Sequence, residues 1–524
     1  MPIVQQGSVN TTSLVVPDLY VQIVPPQNLV LNGVPTNVVG VVGTASWGPV
    51  DHPVIVGTMA DYAQNFGPII ARKFDMGTQI ATAIQQGAQN FRCIRVSDNT
   101  DTAAQTILPG TTVTFTALYT GSLGNQITLT LSTGSRANTW RLTVSLPGLQ
   151  PEVYDNIPGG GADFWLVMAQ AINQGQGPQR GPSQLIAASA GGATVAPAAF
   201  STALGVTAFG TDGAADVTAM TLVGMDIPPR SGMYALRGQG CGIALLADVD
   251  DPDYWTTQAE FGLEEGIYMI LTGPAGDTIE NAVIVKQQAG LDSYAAKLMF
   301  GDWLWWSDQV NATIRLVSPQ GFAAGRLANL SPEQSSLNKQ LYSIISIIGS
   351  EKSGTPGTGQ NASYSSADLA VLLGAGIDVI SNPQPGGSFW GVRGGHNSAS
   401  NVAIDGDNYT RLTNYIAATL ATGMGQYVGQ VITSDLFRRV RATQLAFLQN
   451  MLGQGLLGTT DGSLPFSVVC DTSNNPPDRT NLGYVQSDAQ VQYQAINEKF
   501  IINMEGGQTV QVSRQTLPIG QMAT

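Results

Sequence analysis

The chain changes its hydrophobic period twice, and this constrains its fold more than any other feature. From Val34 to Val96 it reads as strand, helix, strand: VPTNVVGVVGTA, a Trp-Gly-Pro turn at Trp47 to Pro49, PVIVGT, the amphipathic stretch FDMGTQIATAIQQGAQN, then FRCIRV. From Thr111 to Leu146 it switches to two-residue alternation in TVTFTALY, QITLTLST and TWRLTVSL, separated by turns rich in Gly and Asn. The first pattern returns with GIALLADV (Gly242 to Val249), a helical stretch around Tyr254 to Glu265, GIYMILTG (Gly266 to Gly273) and TIENAVIVKQQAG (Thr278 to Gly290). Such alternation implies a parallel sheet flanked by helices. The expected fold is therefore multidomain α/β with an inserted β-rich domain. At 524 residues the chain also exceeds the roughly 250 to 300 at which one core stops growing.

Other stretches punctuate this frame. Thr12 to Val24 is rich in β-branched residues, broken by Pro17 and cut off by Pro25 and Pro26, as suits an extended arm. Near the other end KFIINMEGGQTVQVSRQT carries two strand patterns either side of Gly506 and Gly507, mirroring that arm. A short helix is expected at Phe164 to Asn173. Gly175 to Asp216, dominated by Gly, Ala, Ser and Pro, is expected to be surface loop. A polar linker covers Gly349 to Ser363, and a long helix occupies Asp435 to Leu452 with Asp435 as its cap.

Composition narrows the function. Charged residues are 11% of the chain against about 25% in an ordinary domain, the deficit being filled by Gln, Asn, Ser, Thr and 61 Gly. Uncharged polar surface is buried against a neighbour at little desolvation cost, so this balance fits a dense assembly; compositional drift is the alternative. A net charge of -14 argues against a nucleic-acid backbone or an anionic membrane as partner. Cys93, Cys241 and Cys470 lie far apart with no CxxC spacing, which suits buried thiols in a reducing compartment, a disulfide being the alternative. No apolar run approaches the roughly 18 residues of a membrane span, and MPIVQQGSVN lacks the regions of a signal peptide, so the chain is expected to stay where it is made.

Catalytic chemistry finds little support. Any Ser/His/Asp or Cys/His arrangement must use His52 or His396, the only histidines, and both lie in loop-like sequence, PVDHPV and GVRGGHNS. The acidic run Asp248, Asp250, Asp251, Asp253 contains Pro252 and lacks a calcium loop's glycine, so it reads as a helix-capping turn. The GxGxxG at Gly453, Gly455 and Gly458 follows a helix, the reverse of a dinucleotide site, and reads as a helix stop. Trp303, Trp305 and Trp306 read as core. Arg438, Arg439 and Arg441 would cover one flank of a helix, either meeting an acidic partner or forming local ion pairs on a solvated face. No catalytic residue, metal ligand or cofactor is expected, and the chain is read as no enzyme.

Six segments resemble the contractile phage tail sheath family, which is related to pyocin and secretion-system sheaths. GVVGTASWGPVDHPVIVGTMADYAQNFG (Gly40 to Gly67) is similar to its opening. ATAIQQGAQNFRCIRV (Ala81 to Val96) is similar to its helix and "C-x-x-R-V" strand, and ALYTGSLGNQITLTL (Ala117 to Leu131) to its "A-x-x-x-G-x-x-G-N" signature. SPQGFAAGRLANLSPEQSSLNKQL (Ser318 to Leu341), GAGIDVISNPQPGGSFWGVRGGHNS (Gly374 to Ser398) and FLQNMLGQGLLGTTDGSLPFSVVCD (Phe447 to Asp471) resemble later parts. Gly394 stands where the family has Thr, and the usual Trp-Arg run is reduced to NYTRLTNYI.

The resemblance implies a subtilisin-like α/β domain without proteolytic function, an inserted β-sandwich-like domain, an α+β C-terminal domain facing an inner tube, and extended terminal arms. The corresponding boundaries are an arm at 1–26, core at 27–105, the insert at 106–220, the α/β domain at 221–400, the C-terminal domain at 401–506 and a second arm at 507–524. The arms would add strands to neighbouring subunits through Val15, Val16, Leu19, Tyr20, Val21 and Ile23, and through Thr509, Val510, Gln511, Val512 and Ser513. Arg438, Arg439 and Arg441 become candidate contacts to the tube or to another subunit. The implied partners are copies of the same chain, the tube protein, baseplate and tail terminator, with no nucleic acid and no membrane contact. The implied location is a virion tail assembled in the host bacterial cytoplasm. The rivals are a hydrolase with His396 as base and another tail structural protein, such as the tube.

Overall fold

The computed structural model describes residues 3–6, 20–23, 31, 33–160, 163–192, 195–342, 347–352, 354 and 363–504. They fall into a large unit, 1–494, and a short one, 495–524. In the first, Ile3–Gln6 (β1) pairs in parallel with Tyr20–Ile23 (β2), Ile3 opposite Tyr20. Val39–Gly43 (β3) is buried along its whole length, with Val39 and Val41 facing one core and Val42 the other. Val54–Val56 (β4) and the helices Met59–Phe66 (α1) and Met76–Gln85 (α2) lead to Phe91–Arg95 (β5). Thr58 and Asp61 form a capping box on α1, while Asp75 caps α2.

The insert follows as Gln105–Ile107 (β6), Val113–Ala117 (β7), Thr128–Thr133 (β8), Thr139–Ser145 (β9), Glu152–Pro158 (β10), Asp163–Gln174 (α3), Ile186–Ala190 (β11) and Phe200–Ala203 (β12). They make two antiparallel sheets, β11-β7-β6 and β10-β9-β8-β12, around a shared core that includes Phe115, Leu129, Leu142 and Phe164. Two expectations change. The three alternating strands divide between the sheets, since β7 pairs with β6 and β11 and not with β8. The loop expected at Gly175 to Asp216 supplies β11 and β12, because Ile186 to Ala190 gains its strand conformation from pairing with Ala117 to Val113, not from its own propensity.

After Ala219–Val223 (α4), the first pattern resumes with Ile243–Leu246 (β13), Trp255–Glu265 (α5), Tyr268–Thr272 (β14), Ile279–Ala289 (α6) and Ala296–Met299 (β15). Leu304–Asp308 (β16), Thr313–Val317 (β17) and Ile347–Ser350 (β18) form a small antiparallel sheet, so the linker expected from Gly349 begins in a strand. Most of its remainder lies outside the described residues. Gln320–Ala328 (α7), Ser366–Gly374 (α8) and Ile377–Asp378 (β19) complete the central layer, and Ile380–Ser381 (β20) pairs with Gly391–Val392 (β21). The main sheet runs β19-β15-β14-β13-β3-β5-β4, parallel except for β4, with one core on each face. α7 packs closely on α2, and only glycine fits at Gly325, where a Cβ would lie 2.5 Å from the Ala83 Cα.

The chain ends its large unit with Asp407–Met424 (α9), Ser434–Gly453 (α10), Phe466–Val469 (β22), Pro477–Thr480 (α11) and Asp488–Val491 (β23), which pairs antiparallel with β22. Leu31 is buried here among Leu412, Ile416, Phe447, Phe466 and neighbours. Val34 N–H also donates to Thr419 Oγ1 at 3.2 Å. Thr433 caps α10 by accepting from Leu436 N–H, in place of the expected Asp435, which lies inside the first turn. Gly453 ends α10 and Gly455 follows at φ +77°, the helix stop expected of that motif.

In the short unit Lys499 to Met504 forms no strand, contrary to the expected pattern. Phe500, Ile501, Ile502 and Met504 are exposed there.

Candidate functional site

An open parallel sheet offers its natural ligand crevice at the carboxyl ends of the strands where the winding reverses. Here that point lies between β3 and β13, because β5 follows on one side and β14 and β15 on the other. The chain itself fills the place. Thr44 N–H donates to Phe74 O at 2.7 Å and Met76 N–H to Thr44 O at 3.0 Å, so the segment before α2 lies across the end of β3. Asp248, expected in a helix-capping turn, points inward and accepts from Phe74 N–H and from Gln79 Nε2. Only Asp251 in that run acts as a cap, accepting from Asp253 N–H. Asp75 accepts from the Thr78 N–H and hydroxyl.

Burial pushes the carboxyl of Asp75 up to about 7 and that of Asp248 up to about 6, against the lowering effect of these donors. An unfolded chain releases both protons near pH 4, so between pH 4 and 7 the folded state binds more protons and stability falls as pH rises. The melting temperature is expected to climb as pH drops from 8 to 5. Asp75→Asn should flatten that slope, and equal slopes in the two proteins would refute the assignment.

A second buried cluster lies toward the amino ends of β14 and β15. Lys297 Nζ is 2.6 Å from Asp378 Oδ2 and 3.0 Å from Asp407 Oδ1, with all three side chains buried. Asp407 also accepts from the Tyr268 hydroxyl at 2.7 Å and from the Ser336 N–H and hydroxyl. Asp378 accepts from Gly394 and Gly395 N–H. A side chain at Gly394 would meet Asp378 Oδ1 at 2.9 Å, which explains glycine there. Burial alone would raise the Asp407 carboxyl, yet Lys297 and the hydroxyl donors hold it down at about 2. Every charge here is satisfied internally, and the cluster pins the start of α9 to the sheet.

The remaining candidates are placed as follows. His396 donates its main-chain N–H to Asp378 and accepts from the Lys297 ammonium at its carbonyl, while its ring faces Asp405 at 3.8 Å; His52 is exposed. Trp303 and Trp306 are buried, bonded through their indole N–H to Gly273 O and Gln85 Oε1, with Trp305 half-buried on the other pleat. Among the described residues no group of three His, Cys, Asp or Glu side chains is placed to hold a metal, and all three cysteines are free and buried.

Arg438, Arg439 and Arg441 are exposed on α10, opposite its buried stripe of Leu436, Phe437, Val440 and Phe447. Arg438 and Arg439 both pair with Asp435, at 3.2 and 3.1 Å, so the local ion pairs exist on an outward face. Tyr20, Val21 and Ile23 lie in β2. Val15, Val16, Leu19, Thr509, Val510, Gln511, Val512 and Ser513 lie outside the described residues. Sequence reasoning left Phe500, Ile501, Ile502 and Met504 out of the contact set, although KFIINM already displayed them.

No protein-family model matches the sequence, and no curated protein is significantly similar to it. Solved structures are. A sheath tail protein from Listeria innocua superposes with a TM-score of 0.58 at 13% identity, over 84% of this chain and 90% of that one. One from Desulfitobacterium hafniense gives 0.56 at 15%, over 86% and 93%. The PVC sheath of an extracellular contractile injection system, in its contracted state, gives 0.54 at 11%, over 95% and 99%. This chain has the tail-sheath fold. The sheath fold covers the parallel sheet and its flanking modules together, for the match runs through nearly the whole chain.

Proposed function

We propose that the protein is the structural subunit of a contractile tail sheath and catalyses no reaction. The observation that carries this reading is the sheath fold along nearly the full length, and the filled crevice at the sheet's winding reversal agrees with it. Copies stack as rings around an inner tube, and their re-packing into a wider, shorter lattice drives the tube through a host cell envelope. The free energy is a difference in buried contact between two lattices, small per subunit and large when summed over many rings. The tube, baseplate and tail terminator are the further partners, and a virion tail assembled in the host cytoplasm is the location.

In this reading the domain boundaries given above hold, with the parallel-sheet domain subtilisin-like and the insert sandwich-like. The terminal arms cross to neighbouring subunits. The ribbon β22–β23 packs one face on α10 through Phe466 and Val468 and is open at both edges among the described residues, and an open edge is a template for a further strand. Arms carrying Val15, Val16, Leu19, Tyr20, Val21 and Ile23, or Thr509 to Ser513, supply such strands. Phe500, Ile501, Ile502 and Met504 are the apolar lead into the second arm, and Arg438, Arg439 and Arg441 face the tube or an adjacent subunit.

Negative-stain microscopy of the concentrated protein, with and without salt to screen the -14 charge, tests the reading. Hollow cylinders of cogwheel cross-section are expected. A monomer that stays monodisperse even when co-expressed with its tube protein would overturn it.

A further inference from the structure

The insert joins the parallel sheet through two chain crossings, and its orientation is held by more than those crossings. Arg95, the last residue of β5, is fully buried. Its guanidinium donates to Gly48 O at 2.5 Å, Thr120 O at 2.7 Å and Asp212 O at 3.0 Å. These carbonyls belong to the loop after β3, to the insert, and to the returning crossing. A buried guanidinium is stable only while its acceptors stay in place.

Beside it Trp47, from the same loop as Gly48, is 1% exposed within the insert's core and lies edge-on to Tyr119 at 5.5 Å. Leu123 N–H donates to Ser46 O, and at Gly121, where φ is +141°, a Cβ would sit 2.2 Å from that same carbonyl oxygen. The crossings are tied together by Asp98 N–H to Gly213 O at 2.8 Å and by Thr102 N–H to Thr211 O at 3.1 Å, and Arg72, in the segment before α2, ion-pairs with Asp212 of the returning crossing.

We propose that Arg95 and Trp47 form a lock that makes the β-rich insert and the parallel sheet one rigid body, so the insert moves with the sheet and does not swing on its crossings. The inference stands on the fold alone and holds whether or not the sheath reading does.

Hydrogen exchange of the full-length protein, compared with Arg95→Met, Arg95→Lys and Gly121→Ala, tests it. Arg95→Met and Gly121→Ala are expected to speed exchange about ten-fold at 97–102 and 211–216 while β8, β9, β13 and β14 keep their protection, with Arg95→Lys intermediate. Unchanged exchange at the crossings would overturn the lock. So would an even loss across insert and sheet, which would mean a single cooperative core. Should Arg95→Met fail to fold, Gly121→Ala, which removes neither the buried charge nor a core side chain, decides between the same outcomes.

Discussion

Lys297→Met is expected to lose about 3 to 5 kcal/mol of stability, because it leaves two carboxylates buried without their cation. The wild-type protein has Asp378 and Asp407 within 3.0 Å of the same ammonium. Their fates differ after its removal. Asp378 keeps main-chain donors, Gly394 and Gly395 among them, while Asp407 keeps Ser336 and the Tyr268 hydroxyl but loses the largest influence that counters its burial. The contribution of Asp407 to the pH response should therefore change sign, on top of that of Asp75 and Asp248. With a folded value of about 2 and an unfolded one near 4, Asp407 contributes stability above pH 4 that is lost as pH falls toward 2. In the variant its value rises above the unfolded one, and acidification becomes stabilising until Asp407 is protonated. Urea melts at pH 4 and pH 7 measure both effects; a loss under about 1 kcal/mol, or parallel pH slopes, would contradict the account.

Deleting residues 1–24 is expected to abolish polymers while leaving a folded monomer. The deletion removes β1 and β2, which pair with each other in this chain. On the proposed sheath reading, strand addition by the arm supplies main-chain affinity between subunits, and the shortened chain would keep its rigid surfaces but lose those links. Sedimentation should show monomer at concentrations where the full chain forms cylinders, with the unfolding midpoint unchanged. Ordinary cylinders from the shortened chain would dispose of the arm assignment.

How much was legible in the sequence follows from where each signal resides. VGVVG, FRCIR, IALL and YMILT carry little exposed surface, and strands buried on both faces announce themselves as apolar runs. Ile186 to Ala190, a run of small residues, becomes a strand only through its partner β7, information that no local window contains. The Lys297 cluster was missed for the same reason. Asp378 and Asp407 lie 81 and 110 residues away, and the one local hint is a lysine in the apolar run AAKLMF. Asp248 was grouped with its acidic neighbours as a capping turn, because Phe74 N–H and Gln79 Nε2, which donate to its carboxylate, lie far off in sequence. The arginines of α10 were placed correctly on an outward flank because helical periodicity alone decides that.

Leu31 and Val34 give the chain an unusual route for force. Before entering β3 the chain is anchored to the helical module, Leu31 in its core and Val34 on Thr419 of α9. A pull on the chain before Leu31 would meet this anchor as shear along packed side chains. α9 is itself fastened to the sheet through its first residue, Asp407, and the ammonium of Lys297. The chain reaches β3 only five residues after Val34, so the anchor on α9 and the backbone itself act in parallel, and the helical module shares with the central strand any pull on the preceding chain.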